Sequence, residues 1–295
     1  MLELADRMDS KSIVRKNVWV QIPPQALFYL MPDEIHVIYE DKNFLAVYKP
    51  AGVLTHKTAA NRKAQIAKRE PTLTDWLVKN YPEIKKVGDD PKIRPGIVHR
   101  LDKDTSGVIL VARNQKYFEY LKRLFSFYER SPEGRQSHQI KKTYLALVYG
   151  ELKPKTGVIK EPIRLKSGTI KRTIWKGKME KQAITEYKVL KYYQRKSVLN
   201  QHKSATLSLL RVYPKTGRTH QIRVHLASIG HPIVGDALYG PKKSPSTGSG
   251  QAPLDLKRLF LHAESLEFST VEGSRIKIEA ALPEELKIVL RKIKT

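Results

Sequence analysis

The stretch His99-Arg100-Leu101-Asp102-Lys103-Asp104-Thr105-Ser106-Gly107 decides how the rest of this chain is interpreted. An apolar run flanks it on each side, Gly96-Ile97-Val98 and Val108-Ile109-Leu110-Val111-Ala112, and the pattern predicts two short buried strands joined by a charged turn. Thr105 and Ser106, followed by Gly107, are expected to tighten that turn through hydrogen bonds from their hydroxyls to the backbone. Asp102 then becomes a carboxylate on a rigid support, which suits chemistry, although an ordinary capped turn contains the same residue types.

The charge of the chain indicates a polyanionic partner. Lysine and arginine number 55 against 29 aspartates and glutamates, which gives a formal net charge of +26 and a pI near 10.0. This excess is far above what solubility requires. The sequence contains no apolar run of about 18 residues and no signal-peptide pattern, so we expect no membrane association and favour nucleic acid.

The 295-residue chain contains no cysteine. Disulfides, thiolate-bound zinc and thiol catalysis are therefore excluded together, and the composition fits a reducing cytoplasm. His220 and His225 are five residues apart without an intervening glutamate, so they do not form a zinc motif of the His-Glu-x-x-His type. We therefore expect no metal.

Three parts of the chain differ in pattern. Residues 1–33 have no sustained helical or strand period and are predicted to be a poorly ordered extension. Residues 34–295 are predicted to form one domain, interrupted at 241–253 by a flexible insertion rich in serine, glycine and proline. The basic segments 57–71 and 129–142 are candidates for loops that contact phosphates.

Periodicity predicts both strands and helices within that domain. A hairpin is expected near 34–48, helices after caps at Thr72 and Asn114, and long strands over 140–149, 183–193, 205–213, 259–268 and 275–281. The aromatic stripe after Asn114 is interpreted as core rather than as a platform for bases. Thr219 is predicted to cap a helix that buries Ile222, Leu226 and Ile229 and stops at Gly230, and a further helix is expected at the C-terminus.

With these blocks in view, the chain resembles the RluA family of RNA pseudouridine synthases. The family hallmark His-Arg-Leu-Asp-x-x-Thr-Ser-Gly is matched at every specified position by 99–107. Three further blocks follow the family's pattern in order: Lys49-Pro50-Ala51-Gly52, Lys142-Thr143-Tyr144, and Gly217-Arg218-Thr219-His220-Gln221-Ile222-Arg223-Val224-His225 with Gly235-Asp236. The resemblance spans roughly 34–282 and implies an α+β catalytic fold, a bent, mixed and mostly antiparallel sheet flanked by helices along a basic cleft.

The resemblance also implies a reaction without a metal or an organic cofactor, and it implies roles for individual residues. Asp102 matches the catalytic carboxylate, as nucleophile or as ion stabiliser, Arg223 the arginine paired with it, and Tyr144 the tyrosine that stacks on uracil and takes part in removing the C5 proton. The alternatives without a catalytic role are a surface arginine at position 223 and a core tyrosine at position 144. Arg100 matches the residue that fills the gap left by an extruded nucleotide. The other residues assigned here to RNA binding are His99, Lys49, Lys142, Arg218 and His220, with a plain turn and a solvated lysine as the alternative for Lys49.

The predicted partner is structured RNA, ribosomal or transfer RNA, bound by a monomer, with DNA and membranes excluded as partners. Many family members carry an N-terminal S4 RNA-binding domain, for which about 33 preceding residues are too few. A non-catalytic RNA-binding or ribosome-associated protein explains the charge equally well. A metal-dependent nuclease would need a carboxylate cluster that the sequence does not offer.

Overall fold

A ten-stranded mixed sheet forms the body of the molecule, whose computed structural model describes residues 20–21, 34–57, 70–130, 140–169, 171–195, 205–241 and 256–293. The strands are β1 (Val20–Gln21), β2 (His36–Glu40), β3 (Phe44–Lys49), β4 (Ser106–Ala112), β5 (Lys141–Tyr149), β6 (Thr156–Ile159), β7 (Ile163–Leu165), β8 (Arg172–Thr173), β9 (Lys178–Lys181), β10 (Thr185–Arg195), β11 (Ala205–Pro214), β12 (Leu261–Ser269) and β13 (Arg275–Glu279). The helices are α1 (Leu73–Asn80), α2 (Gln115–Arg130), α3 (Gln221–Ser228) and α4 (Glu284–Lys292), and Pro82–Lys86 forms a 3-10 helix.

The large sheet runs in the order β2-β3-β4-β12-β5-β11-β10-β6, with β13 on β12 and β1 on β13. Its pairs are antiparallel except for β4 with β12 and β1 with β13. The predicted mixed, mostly antiparallel α+β fold is therefore confirmed. Three short strands form a separate small sheet in the order β8-β7-β9. Among the described residues, no helix is both long enough and apolar enough to cross a membrane.

The core covers both faces of the β3–β4 pair. Every residue of these two strands is buried, as their continuous apolar runs require. Helix α1 packs Leu73 and Leu77 on one face of the pair, and α2 packs Phe118 and Leu121 on the other. Each fully buried side chain of this kind contributes about 1.5–3 kcal/mol through the hydrophobic effect. A further cluster lies under β5 and β11 and includes residues of α3 and α4.

Two of the predicted helix starts are confirmed by their hydrogen bonds. Thr72 and Asp75 form the capping box of α1, each side chain bonded to the other's backbone N–H. The side-chain oxygen of Asn114 accepts the Tyr117 backbone N–H at 2.9 Å at the start of α2. Local sequence was sufficient in both cases because the cap and its partner are three residues apart.

Three predictions of local structure were wrong. Residues 96–98 do not form a strand, because only Ile97 bridges to Val111, and Val20–Gln21, assigned to a structureless extension, forms a strand on β13. His220 rather than Thr219 is the N-terminal cap of α3, without a side-chain cap bond, and Ile229 is 38% exposed. The rest of the extension, most of 57–71 and 129–142, and most of the insertion at 241–253 lie outside the described residues.

Candidate active site

Asp102 lies in the irregular segment that leads into β4, and the loop after β3 holds this segment in place. The Thr55 hydroxyl accepts the Leu101 N–H at 3.3 Å and donates to the Leu101 carbonyl at 2.9 Å. The Gly52 N–H donates to the Lys103 carbonyl at 2.9 Å. The backbone on either side of Asp102 is therefore fixed by groups about 50 residues away in sequence.

The hydroxyls that follow Asp102 do not tighten the turn as predicted. The Ser106 hydroxyl instead bonds to Nδ1 of buried His262 and accepts from the Arg258 guanidinium, each at 2.8 Å. The Thr105 hydroxyl is buried and has no hydrogen-bond partner among the described residues. Gly107 has a φ of +123°, and a Cβ there would lie 2.2 Å from the Ala263 carbonyl oxygen. Only glycine therefore permits the parallel contact of β4 with β12 directly after the turn.

Lys49 also holds the Asp102 segment in place. Its side chain is fully buried, and Nζ donates to the carbonyl oxygens of Pro50, Val53 and Lys103 at 2.7, 2.8 and 3.0 Å. Burial lowers the pKa of Lys49 to about 7. The alternative of a solvated lysine was wrong, because the side chain is closed off from solvent; a contact of Lys49 with RNA stays a prediction.

Arg223 joins two carboxylates. Its Nε and Nη2 bind the fully buried carboxylate of Asp236 at 2.7 and 2.8 Å, while Nη1 points to Asp102 Oδ2 at 3.3 Å. Burial alone would lower the pKa of Arg223, but the hydrogen bonds and charge of Asp236 and Asp102 outweigh it and the pKa is raised. A bidentate pair fixes the plane of the guanidinium. The third nitrogen is thereby directed at Asp102.

Asp236 is a functional candidate to which sequence reasoning assigned no role. Burial would raise its pKa, yet Arg223 and the backbone N–H groups of Leu238 and Tyr239 lower it, so the carboxylate stays ionised inside the protein. Gly235 precedes it with a φ of +78°, and a Cβ there would lie 2.1 Å from a carbonyl oxygen. The Gly-Asp dipeptide was the available signal, because a glycine before a buried acid marks a tightly constrained turn.

His220 also lies close to Asp102. Its Nε2 lies 3.9 Å from Asp102 Oδ2, and its Nδ1 lies 2.9 Å from the Tyr239 hydroxyl. That hydroxyl also accepts the Arg172 backbone N–H at 2.8 Å, so hydrogen bonds connect β8 with the His220 ring through Tyr239. Burial lowers the pKa of His220, partly offset by Asp102, and the ring is neutral at pH 7. The backbone of His220 is left-handed at a φ of 57°, strain of order 1–3 kcal/mol that is common at functional sites.

A cleft of about 340 Å³ opens over Asp102. Tyr144 lines it too; burial and the charge of Asp102 raise its pKa, so its hydroxyl is protonated at neutral pH. Among the described residues Asp102 is the one carboxylate of the lining, against six cations: Arg94, Arg100, Lys122, Lys142, Arg218 and Arg223. The cleft is thus built for an anionic ligand, and its volume falls at the small end of ligand sites in proteins.

The residues assigned to RNA binding, apart from Lys49, all line this cleft. Arg100 is exposed, Lys142 Nζ donates to the Thr216 carbonyl at 3.0 Å, and Arg218 Nε donates to a carbonyl at 3.0 Å. His99 accepts the Leu110 N–H at Nε2 and stacks on Phe125 with ring centroids 4.3 Å apart. RNA contacts by these residues stay predictions. Phe125 was assigned to the core, yet it is only partly buried and lines the cleft.

Acid should destabilise the protein through His99 and His262. Burial lowers their pKa values to about 3 and about 4, from an ordinary 6.5. Between those values and 6.5 the unfolded chain binds more protons than the folded chain, so the free energy of unfolding falls as the pH falls through this window. The slope is at most about 1.4 kcal/mol per pH unit for each histidine. Urea titrations at several pH values across the window measure it.

His262→Asn is the matched variant for this prediction, because an amide retains a neutral donor and acceptor for the Ser106 hydroxyl and the Ala280 carbonyl. It should lower stability at neutral pH and remove the contribution of one histidine from the slope. A pH profile identical to that of the unaltered protein would show that His262 is not a source of the acid sensitivity.

The sequence matches a known family. The family model described as RNA pseudouridylate synthase matches residues 43–228. An uncharacterized RNA pseudouridine synthase of Aquifex aeolicus is 36% identical over 78% of this chain and 64% of its own length. Ribosomal large subunit pseudouridine synthase D of Nitrosomonas europaea is 34% identical over 88% of this chain and 65% of its own. The chain thus spans just under two thirds of the length of these two relatives.

A solved structure agrees on the fold. Human RNA Pseudouridylate Synthase Domain Containing 1 matches with a TM-score of 0.61 at 24% sequence identity, over 88% of this chain and 89% of the human one. At that identity the similarity concerns the arrangement of strands and helices alone. It supports the architecture on which the Asp102 cleft is built.

Proposed function

Because the chain belongs to the RNA pseudouridylate synthase family, we propose that it isomerises uridine in RNA to pseudouridine in the cleft around Asp102. One observation carries the proposal: Arg223, fixed by a buried carboxylate, directs its remaining nitrogen at Asp102 in a cationic cleft that Tyr144 also lines. A protein that only binds RNA has no use for a carboxylate in such a cleft, where it repels phosphates.

The product has the same atomic composition as the substrate. The glycosidic C1′–N1 bond breaks, the uracil turns, and a C1′–C5 bond forms; the C5 proton leaves and N1 takes up a proton. A carboxylate either attacks the sugar and forms a covalent bond to it, or stabilises the positive charge that develops on the sugar. Both routes use the Asp102 carboxylate, and Arg223 Nη1 lies 3.3 Å from its Oδ2.

Two further residues have roles that their surroundings support. Tyr144 is partly buried and its hydroxyl is protonated, which suits stacking on the uracil and hydrogen bonding better than acting as a free phenolate base. Arg100 is exposed at the cleft, where it can occupy the space left in a stem when the target nucleotide is extruded.

We infer ribosomal RNA of the large subunit as the substrate, because relatives from Nitrosomonas europaea and Yersinia pestis at 34% and 33% identity are named for it. The test is tritium release from C5-labelled uridine in purified ribosomal and transfer RNA. Release from large-subunit RNA supports the proposal, and release from transfer RNA alone reassigns the substrate. Absence of release from both contradicts the isomerase function and favours a binding protein.

RNA binding should weaken steeply with salt, because the +26 charge of the chain and the exposed cations of the cleft act on phosphates. Counterion release predicts a loss of roughly 0.7–0.9 log units of affinity per log unit of salt for each phosphate contact. Filter binding across a salt series measures the slope. Single-stranded DNA of the same sequence is the control and should bind with a similar slope without being modified. An affinity for RNA that stays flat with salt would contradict the electrostatic interpretation.

A further inference from the structure

Trp175 is unusual for its exposure. It lies in the turn between β8 and β9 of the small sheet and is 74% exposed, whereas large aromatic side chains are normally mostly buried. Within the described part of the chain no aromatic ring or cation packs on its indole. An exposed tryptophan of this kind adds nothing to the core, so a contact with a partner is the natural explanation.

The turn that presents Trp175 is held firmly. The Trp175 N–H donates to the Thr173 hydroxyl at 3.0 Å, and Arg164 Nη1 donates to the Ile174 carbonyl at 2.7 Å while the same guanidinium pairs with Glu180. A Cβ at Gly177 would lie 2.6 Å from the Leu165 carbonyl oxygen, which shows how closely β7 approaches. A turn whose backbone is already ordered presents the indole to a partner at a lower entropy cost than a mobile loop would.

The surroundings of Trp175 are strongly basic. Residues 160–182 contain eight lysines and arginines and two glutamates. Lys176, Lys178 and Lys181 are exposed beside the indole or on β9. Apolar aromatic surface among cations is the combination that binds single-stranded nucleic acid, with bases on the ring and phosphates on the lysines.

The small sheet is also tied to the active site. Lys171 Nζ donates to the Leu238 carbonyl at 3.1 Å, and the Arg172 N–H donates to the Tyr239 hydroxyl, which bonds to His220. Leu238 and Tyr239 belong to the turn that begins at Gly235 and contains Asp236, the partner of Arg223. An RNA segment on the small sheet therefore lies next to the cleft rather than on a remote face.

We propose that the small sheet is a second RNA-binding surface, on which an unpaired segment beside the target nucleotide stacks a base on Trp175 and places its phosphates on Lys176 and Lys178. The position of the segment relative to the target rests on the proposed function, whereas the binding surface itself does not. The surface favours unpaired RNA because a base inside a duplex has no free face to offer.

Fluorescence anisotropy with a labelled single-stranded oligoribonucleotide tests the surface. Trp175→Ala should weaken binding about tenfold, the range expected for loss of one stacked base, and Trp175→Phe should restore most of it. Met179→Ala is the matched control, since Met179 is 66% exposed on the same sheet. Binding of duplex RNA should change little. Equal affinity of the Trp175→Ala variant and the unaltered protein for the single strand would overturn the proposal.

Intrinsic fluorescence gives an independent readout. The chain has three tryptophans, so a variant with Trp19→Phe and Trp76→Phe reports on Trp175 alone. Single-stranded RNA should quench this signal. Quenching by vesicles of anionic phospholipid in place of RNA would assign the surface to a membrane and overturn the proposal.

Activity separates this proposal from the one before it. If the unaltered protein releases tritium, Trp175→Ala should raise KM for RNA several-fold more than it lowers kcat, and an unchanged KM would overturn the surface while the isomerase stands. If no RNA is isomerised but binding still depends on Trp175, the surface stands and the isomerase fails.

Discussion

Asp102→Asn should reduce tritium release from C5-labelled RNA to background. The amide retains the size of the carboxylate and its oxygen still accepts from Arg223 Nη1, but it can neither attack the sugar nor stabilise a positive charge on it. Stability should change by only about 1 kcal/mol, because Asp236 remains the main partner of the guanidinium. Denaturant titration and RNA binding, measured beside activity, should both show a folded protein that still binds.

Asp104→Asn is the matched control. Asp104 lies in the same turn two residues on and is exposed, and the substitution removes the same charge. This variant should retain most of its turnover. An inactive Asp104→Asn beside an active Asp102→Asn would assign the reaction to the other carboxylate, and full activity of both would remove this turn from the mechanism.

Secondary structure was predictable where the deciding contacts are local. The capping box at Thr72 and the Asn114 cap involve partners three residues apart. The all-buried strands β3 and β4 follow from short apolar runs bounded by turns. The strand prediction at 96–98 failed because Gly96 and Ile97 make only a bridge to β4, and an apolar triplet does not reveal how many strand partners it will find.

The burial of Lys49 could not be predicted from its surroundings in sequence. Two of its three carbonyl partners follow it directly in a loop, but the third, Lys103, is 54 residues away. A lysine next to Pro-Gly residues is usually exposed, and only the folded loop creates an acceptor set that compensates for burial. The same block that looks like an RNA contact is therefore a support for the Asp102 turn.

The pairing of Arg223 with Asp102 was predicted from the family resemblance, and the structure places Nη1 3.3 Å from Oδ2. Gly235-Asp236 was noted only as part of a sequence block, and no role was assigned to Asp236 because a carboxylate is rarely fully buried unless a cation pairs with it. Its pairing with Arg223 is a property of the tertiary structure, not of a motif.

Arg223→Met should cost about 3–5 kcal/mol of stability and abolish activity. Methionine has similar length and apolar bulk, but Asp236 would remain as a buried anion that keeps only the N–H groups of Leu238 and Tyr239. Asp102 would lose its nearest cation and the group that orients it. Urea denaturation measures the first effect and tritium release the second.

The double variant Arg223→Met with Asp236→Asn separates these two consequences. Neutralising Asp236 removes the uncompensated charge, so a large part of the lost stability should return, because breaking a buried pair costs more than replacing both partners. Activity should not return, since neither change restores a cation within 3.3 Å of Asp102. Recovery of turnover together with stability would show that Arg223 serves only to neutralise Asp236. The Cζ atom of Arg223 lies 5.2 Å from the centroid of the Tyr239 ring. If stability does not recover, the guanidinium stabilises this turn by packing on that ring rather than through its pairing with Asp236.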